Sequence, residues 1–278
     1  MTEEKQYNKQ TFIKIFNSIA RHKHRYQVFS DFVTMSAIAL HNGISKSESL
    51  ESEYMEIVGK YSKDEAGKIA ELFANLIVLL EPEPRDILGN LYMELELGNT
   101  NNGQFFTPPE LSSLLAQLSY GDELSNLQKP FITLCEPACG AGGMVLAFAK
   151  TMREHKHNPA EKLWVQCIDV DRVAGLMCYL QLSLWHIPAE VIIGNTLSME
   201  LREVYYTPAH YLGNWDAKLR LQKQHKAIKS ILEVEEIEPG ETVKTETKIE
   251  VVPEILEQPK EPDKKENDEK GQTDLFDF

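Results

Sequence analysis

The chain has 278 residues, enough for one full domain with additions or for two small ones. Its 42% hydrophobic content is ordinary for a soluble globular protein, and no apolar run reaches the roughly 18–20 residues that a membrane-spanning helix needs. The formal net charge of −14 is unevenly spread: residues 231–278 hold 16 acids and 6 bases, so the remainder carries only about −4 and a nucleic-acid partner is not excluded.

In chain order, residues 9–40 read as one long amphipathic helix or two, from Phe12, Ile13, Ile15, Phe16 and Ile19 and then Val28, Phe29, Phe32 and Val33 at helical spacing. Between the stripes lies a basic cluster, Arg21 to Arg25, which reads as a solvated helix face or as a contact with DNA phosphate. Residues 64–80 form another helix, ended by the EPEP of 81–84, and a helical pattern restarts over 85–97. The first hundred residues are thus expected to be a helical region.

The character changes at about residue 101. Thr107 is placed to cap a helix whose first turn holds Pro108, Pro109 and Glu110. Strands are expected at 131–135, 163–168 and 191–193, helices at 142–152 and 172–185, and a possible fourth strand at 203–206. Alternating strand and helix predicts an α/β domain over 101–230, with a Rossmann-like parallel sheet. Residues 215–230 are a basic helix candidate. From 231 the chain is rich in Glu, Lys, Pro and Thr, and this acidic tail is expected to be disordered.

The N-terminus is polar and has no signal-like apolar segment, which places the protein in the cytoplasm with no membrane partner. The four cysteines, Cys135, Cys139, Cys167 and Cys178, match no zinc spacing, so buried thiols and no metal are expected.

The turn after the first α/β strand is Gly-rich. Gly140, Gly142 and Gly143 let backbone approach a ligand closely, at the strand ends where α/β sheets bind nucleotide-like cofactors. Glu136 is placed to accept from a cationic group, which suits the amino-acid end of S-adenosylmethionine (SAM) and would repel a pyrophosphate. Asp169, about 30 residues on at the next strand end, is placed to accept from ribose hydroxyls, while Asp171 suits the cap of the following helix.

The segments DILGNLYMELELGNTNNGQFFTPPELSSLL, CEPACGAGG and CIDVD, in this order, resemble the N-6 adenine DNA methylase family over about residues 85–200. The likeness is to modification subunits of type I restriction systems and to short methylases of mobile elements. It implies a SAM-dependent methyltransferase acting on the exocyclic amino group of adenine in DNA. It also implies that Gln104, Phe105, Phe106, Thr107 and Pro108 close over the methionine end of SAM, with Glu136, Ala138, Gly140, Ala141, Gly142, Gly143 and Asp169 completing the cofactor site. Phe105 and Phe106 read equally as core aromatics. Asn195, in GNTL, takes the place where an acid commonly meets the adenine ring, and is a candidate catalytic residue.

That family holds its flipped base with a [DN]PP[YF] motif, and this sequence has none. NPA at 158–160 lies in the wrong region. TPAHY at 207–211 is a degenerate substitute, with Thr207 as acceptor and His210 or Tyr211 for stacking. About seven strands are expected of a full domain and only three or four are found, so the sheet reads as truncated. Three functions stay open: an adenine-specific methyltransferase, completed or not by a specificity or catalytic partner subunit; a non-catalytic SAM- and DNA-associated regulator, methylase partner or anti-restriction factor; and a methyltransferase acting on RNA or protein, which no specific feature supports. At the far end, QTDLF resembles the bacterial sliding-clamp-binding pentapeptide, with Gln272, Leu275 and Phe276 as anchors on a flexible tether.

Overall fold

The computed structural model describes residues 7–97 and 106–235. Residues up to Lys229 belong to one compact unit; of the second, Ser230–Phe278, residues 230–235 are described. No helix among the described residues is long and apolar enough to cross a membrane.

Among the described residues five helices come first: α1 (Lys9–Ser18), α2 (Arg25–Asn42), α3 (Glu48–Val58), α4 (Lys63–Leu80) and α5 (Leu88–Glu94). The stretch over 9–40 is therefore two helices. Ile19 is extended and Ala20 has φ 39°, which breaks the helical run between them. The basic cluster serves this break. The Arg25 guanidinium donates to the carbonyls of Phe16, Ile19 and Ala20 at 3.2, 2.9 and 2.6 Å, satisfying the orphan acceptors at the end of α1. Lys23 donates to the Lys60 carbonyl at 3.0 Å and lies 3.8 Å from the centroid of the Tyr61 ring. These two cations of the cluster are thus engaged by the fold itself. A capping box of Ser62 and Glu65 starts α4, and Glu65 also accepts from Ala20 N at 3.0 Å.

After α6 (Pro109–Ser125) the elements are β1 (Ile132–Glu136), α7 (Gly143–Glu154), α8 (Pro159–Lys162), β2 (Leu163–Asp169), α9 (Arg172–Leu184), β3 (Ala189–Asn195), β4 (Glu200–Tyr206), α10 (Pro208–Leu212) and α11 (Trp215–Glu235). The sheet order is β1-β2-β3-β4. Pairs β1/β2 and β2/β3 are parallel, as expected of an α/β sheet. The fourth strand departs from the expected parallel sheet, because it runs antiparallel to β3. Only residues 196–199 separate the two strands, far short of the dozen that a parallel crossover requires. The hairpin tightens at a bulge between Ile193 and Gly194, where a Cβ on Gly194 would lie 2.4 Å from the Glu200 carbonyl.

One core runs from the N-terminal helices into the sheet. Phe16, Phe29, Leu76 and Leu91 share it with Leu146, Val165, Cys167, Leu176 and Val191. Arg172 at the start of α9 clamps α3 to β4: it pairs with Glu53 at 2.8 Å and with Glu203 at 2.8 Å. Trp215, fully buried and edge-on to Phe131 at 5.1 Å, anchors α11.

Parallel sheets are ordinarily covered on both faces. Here one face carries a polar row across all four strands. Cys135 donates to Gln166 at 3.7 Å, Gln166 donates to Glu190 at 2.8 Å, and the Tyr206 hydroxyl donates to Glu190 at 2.7 Å. These groups satisfy one another, so the face tolerates partial exposure. Among the described residues the outer edge of β1 has no strand partner.

Candidate cofactor site

The loop from Pro137 to Gly142 leaves β1 and is tied down by its own backbone. Cys139 N donates to the Ile168 carbonyl at 2.9 Å and Gly142 N to the Cys139 carbonyl at 2.8 Å. Gly140 and Gly142 have φ of 53° and 88°, a region in which side chains are strained. Space is also closed to them. A Cβ on Gly140 would come within 3.1 Å of the Phe106 ring, and one on Gly142 within 2.9 Å of the Cys178 sulfur.

Asp169, at the end of β2, joins the loop directly. One carboxylate oxygen accepts from Gly140 N at 2.7 Å and the other from Asp171 N at 2.8 Å. Burial raises its pKa, the neighbouring Asp171 raises it further, and the two N–H groups oppose both. Asp171 caps α9 by accepting from Ala174 N at 3.0 Å. Glu136 accepts from Ala138 N at 3.3 Å, which turns its carboxylate into the same loop. Asn195 ends β3, and its side-chain oxygen accepts from Leu197 N and Ser198 N at 2.9 and 3.3 Å. Thr196 donates to the Pro137 carbonyl at 2.7 Å, so the loop after β3 is stitched to the Gly-rich loop. Glu136, Asp169 and Asn195 thus stand side by side at the carboxyl ends of three parallel strands, the edge where such sheets bind ligands.

Phe106 is half-buried and packs edge-on against Tyr92 at 5.4 Å, over Gly140. Thr107 and Pro108 follow it, exposed. Both line a cavity of about 840 Å³ that runs behind the loop past Asp86, Asn90, Gly143 and Lys150. Gln104 and Phe105 lie outside the described residues.

The remaining candidates are not brought to this site. Thr207 N donates to the Ala189 carbonyl at 3.0 Å, at the start of β3. Ala189 and Asn195 are six positions apart, about 20 Å of strand. The cause is the antiparallel direction of β4, which returns its end to the amino edge of the sheet. Thr207 is fully buried; its hydroxyl donates to the Ile187 carbonyl at 2.8 Å and accepts from Ala189 N at 2.9 Å. His210 accepts from Trp164 Nε1 at 3.1 Å, and burial holds its pKa down. Tyr211 packs beside it. The TPAHY segment therefore stands at the opposite end of β3 from Asn195, with Thr207 and His210 buried and Tyr211 exposed. Asn158 of the NPA sequence caps α8.

Sequence reasoning missed a buried polar clip that braces the loop. Gln181 of α9 is fully buried. Its oxygen accepts from Ile87 N and Leu88 N at 2.7 and 3.1 Å, and its nitrogen donates to Asp86 and to the Ala141 carbonyl at 3.0 and 2.8 Å. Asp86 also accepts from Gly89 N at 2.7 Å, and a Cβ on Gly89 would lie 2.1 Å from its other oxygen. The signals were a lone amide inside the apolar run LMCYLQLSL and the spacing of Asp86 and Gly89, in which an aspartate meets the N–H three residues on.

A family model described as N-6 DNA methylase matches residues 83–221, half of the chain. The chain belongs to the N-6 DNA methylase family. The match begins just before Asp86 and covers the loop, Asp169, Asn195 and β4. No curated protein matches the chain. Among solved structures it is similar to a class I S-adenosylmethionine-dependent methyltransferase from Listeria monocytogenes, at 15% identity and a TM-score of 0.35, covering 65% of this chain and 51% of that one. It is also similar to the methyltransferase subunit of a type I restriction-modification system from Streptococcus thermophilus, at 17% identity and a TM-score of 0.33, covering 67% and 42%. The chain spans about half the length of these two proteins.

Proposed function

We propose that this member of the family is the SAM-binding part of an adenine-specific DNA methyltransferase. The observation that carries the reading is the bond from Gly140 N to Asp169, which unites two segments 29 residues apart at the strand ends. In this reading Asp169 accepts from the ribose hydroxyls with its remaining lone pairs, and Glu136 accepts from the methionine ammonium. Asn195 meets the adenine ring through its amide. Phe106 covers the loop with Thr107 and Pro108, and Gln104 and Phe105 belong to the same closing segment. Bound SAM supplies an activated methyl group; the protein's part is to orient it and to shield it from water.

Holding the target base is a separate task. The TPAHY segment stands at the far edge of the sheet, and in this reading the base is held by other residues. A strand added in parallel at the open edge of β1 would end beside Glu136. A specificity or catalytic partner subunit joined there would bring base-holding residues to the cofactor. The missing acceptor also favours a second reading, a non-catalytic SAM- and DNA-associated protein in regulation or anti-restriction.

Tritiated SAM and unmethylated DNA, with SAM affinity measured by calorimetry, separate the readings. Label transfer by the chain, alone or with a co-expressed partner, supports the enzyme; binding without transfer in either case supports the second reading. Replacing Asp169 by Ala is expected to weaken SAM about 10- to 100-fold, the value of one hydrogen bond to a charged group. Equal affinity for the variant would remove the proposed site. Sliding-clamp binding through Gln272, Leu275 and Phe276, which lie outside the described residues, is proposed with its own test: deleting 272–278 should abolish clamp capture and leave SAM affinity unchanged.

A further inference from the structure

Three of the four cysteines, far apart in sequence, meet in space. Cys139 comes from the Gly-rich loop, Cys167 from β2 and Cys178 from α9, and their sulfur atoms all lie within 4.8 Å of one another. All three are buried, at 7%, 0% and 0% exposure, whereas Cys135 faces solvent. We propose that this trio binds one divalent thiophilic cation of the zinc class through three thiolates.

The geometry is close to what such an ion requires. Metal–sulfur bonds of about 2.3 Å in the tetrahedral arrangement of such ions set three sulfurs about 3.8 Å apart, so the trio closes by at most about 1 Å and a water takes the fourth position. The loop is shaped around one of the ligands: the Cys178 sulfur occupies the space a Cβ on Gly142 would need, at 2.9 Å. Asp169 lies nearby, yet both its oxygens are engaged by backbone N–H groups, so sulfur alone forms the donor set among the described residues. An all-sulfur set selects soft ions over magnesium or calcium. Charge selects among soft ions. Three thiolates leave a net −1 around a divalent ion and −2 around a monovalent one, and burial penalises the larger charge. On binding, three S–H bonds break, three metal–sulfur bonds form and three protons leave to solvent, with no change of oxidation state. The ion would pin Cys139, and with it the cofactor loop, to β2 and α9.

The test uses the tag-free full chain, kept reduced and stripped of metal, with Cd²⁺ as the probe. The expected result is a sulfur-to-cadmium charge-transfer band that saturates at one equivalent, with about three protons released per ion in weak buffer. Cys135→Ser should behave like the parent, while Cys167→Ser and Cys178→Ser should bind at least tenfold more weakly. Circular dichroism checks that the variants fold; if they do not, the parent's band, stoichiometry and proton count decide alone. Absence of the band, a band undiminished in folded Cys167→Ser, or a disulfide within the trio in the freshly purified chain would each overturn the proposal.

Discussion

Replacing Gln181 by Met tests the clip that holds the Gly-rich loop against α5. Met has nearly the volume of Gln and suits the surrounding core, so the change isolates hydrogen bonding from packing. Four partners lose a bond: Ile87 N, Leu88 N, the Asp86 carboxylate and the Ala141 carbonyl. Ile87 is only half-buried and finds water, and Asp86 retains Gly89 N. Leu88 and Ala141 are at 0% and 1% exposure and find no substitute. At roughly 1–3 kcal/mol for each buried group left unpaired, with part recovered by relaxation, the expected loss is about 3–5 kcal/mol. Urea unfolding followed by tryptophan fluorescence and circular dichroism should show a lowered midpoint at unchanged slope. A loss under about 1 kcal/mol would refute the view that this network braces the loop.

Three further outcomes are expected. Burial raises the pKa of Asp86 above its ordinary 3.8, against the opposing hydrogen bonds from Gln181 and Gly89. The folded state therefore holds a proton that the unfolded state has released, and stability present below about pH 4 is lost as pH rises through the folded pKa. Asp86→Asn keeps an acceptor for Gly89 N and Gln181, so the parent should lose stability relative to the variant over that rise, as unfolding midpoints across a pH series will show. Gly142→Ala should cost about 1–3 kcal/mol and weaken SAM binding, because φ of 88° and the Cys178 sulfur both oppose a methyl group; unchanged calorimetric affinity would show the loop to be more tolerant than its contacts imply. Thr207→Val should lower stability by about 1–2 kcal/mol in urea while leaving SAM affinity alone, since its hydroxyl bonds only to Ile187 and Ala189.

Much of the architecture was legible because it is local. The capping aspartate at 171, the glycines of the loop, the alternating strands and helices and the Asp169 strand end each declare themselves within a few residues. The antiparallel turn of β4 was legible too, had the short span after β3 been weighed against the length of a crossover. Helix α3 was not singled out, although Leu50, Tyr54, Ile57 and Val58 repeat at helical spacing after the Ser47 cap.

The sequence by itself determined where chain conformation changes and which residues suit a cofactor, since propensity, capping and backbone freedom act over a turn or two. Tertiary structure decided which of those residues meet. It sent Thr207, His210 and Tyr211 to the far edge of the sheet, turned Arg25 into a helix cap, set Gln181 against Asp86 and gathered three cysteines that match no linear metal pattern. Strand direction and helix packing alone fix those distances, and no spacing along the chain encodes them.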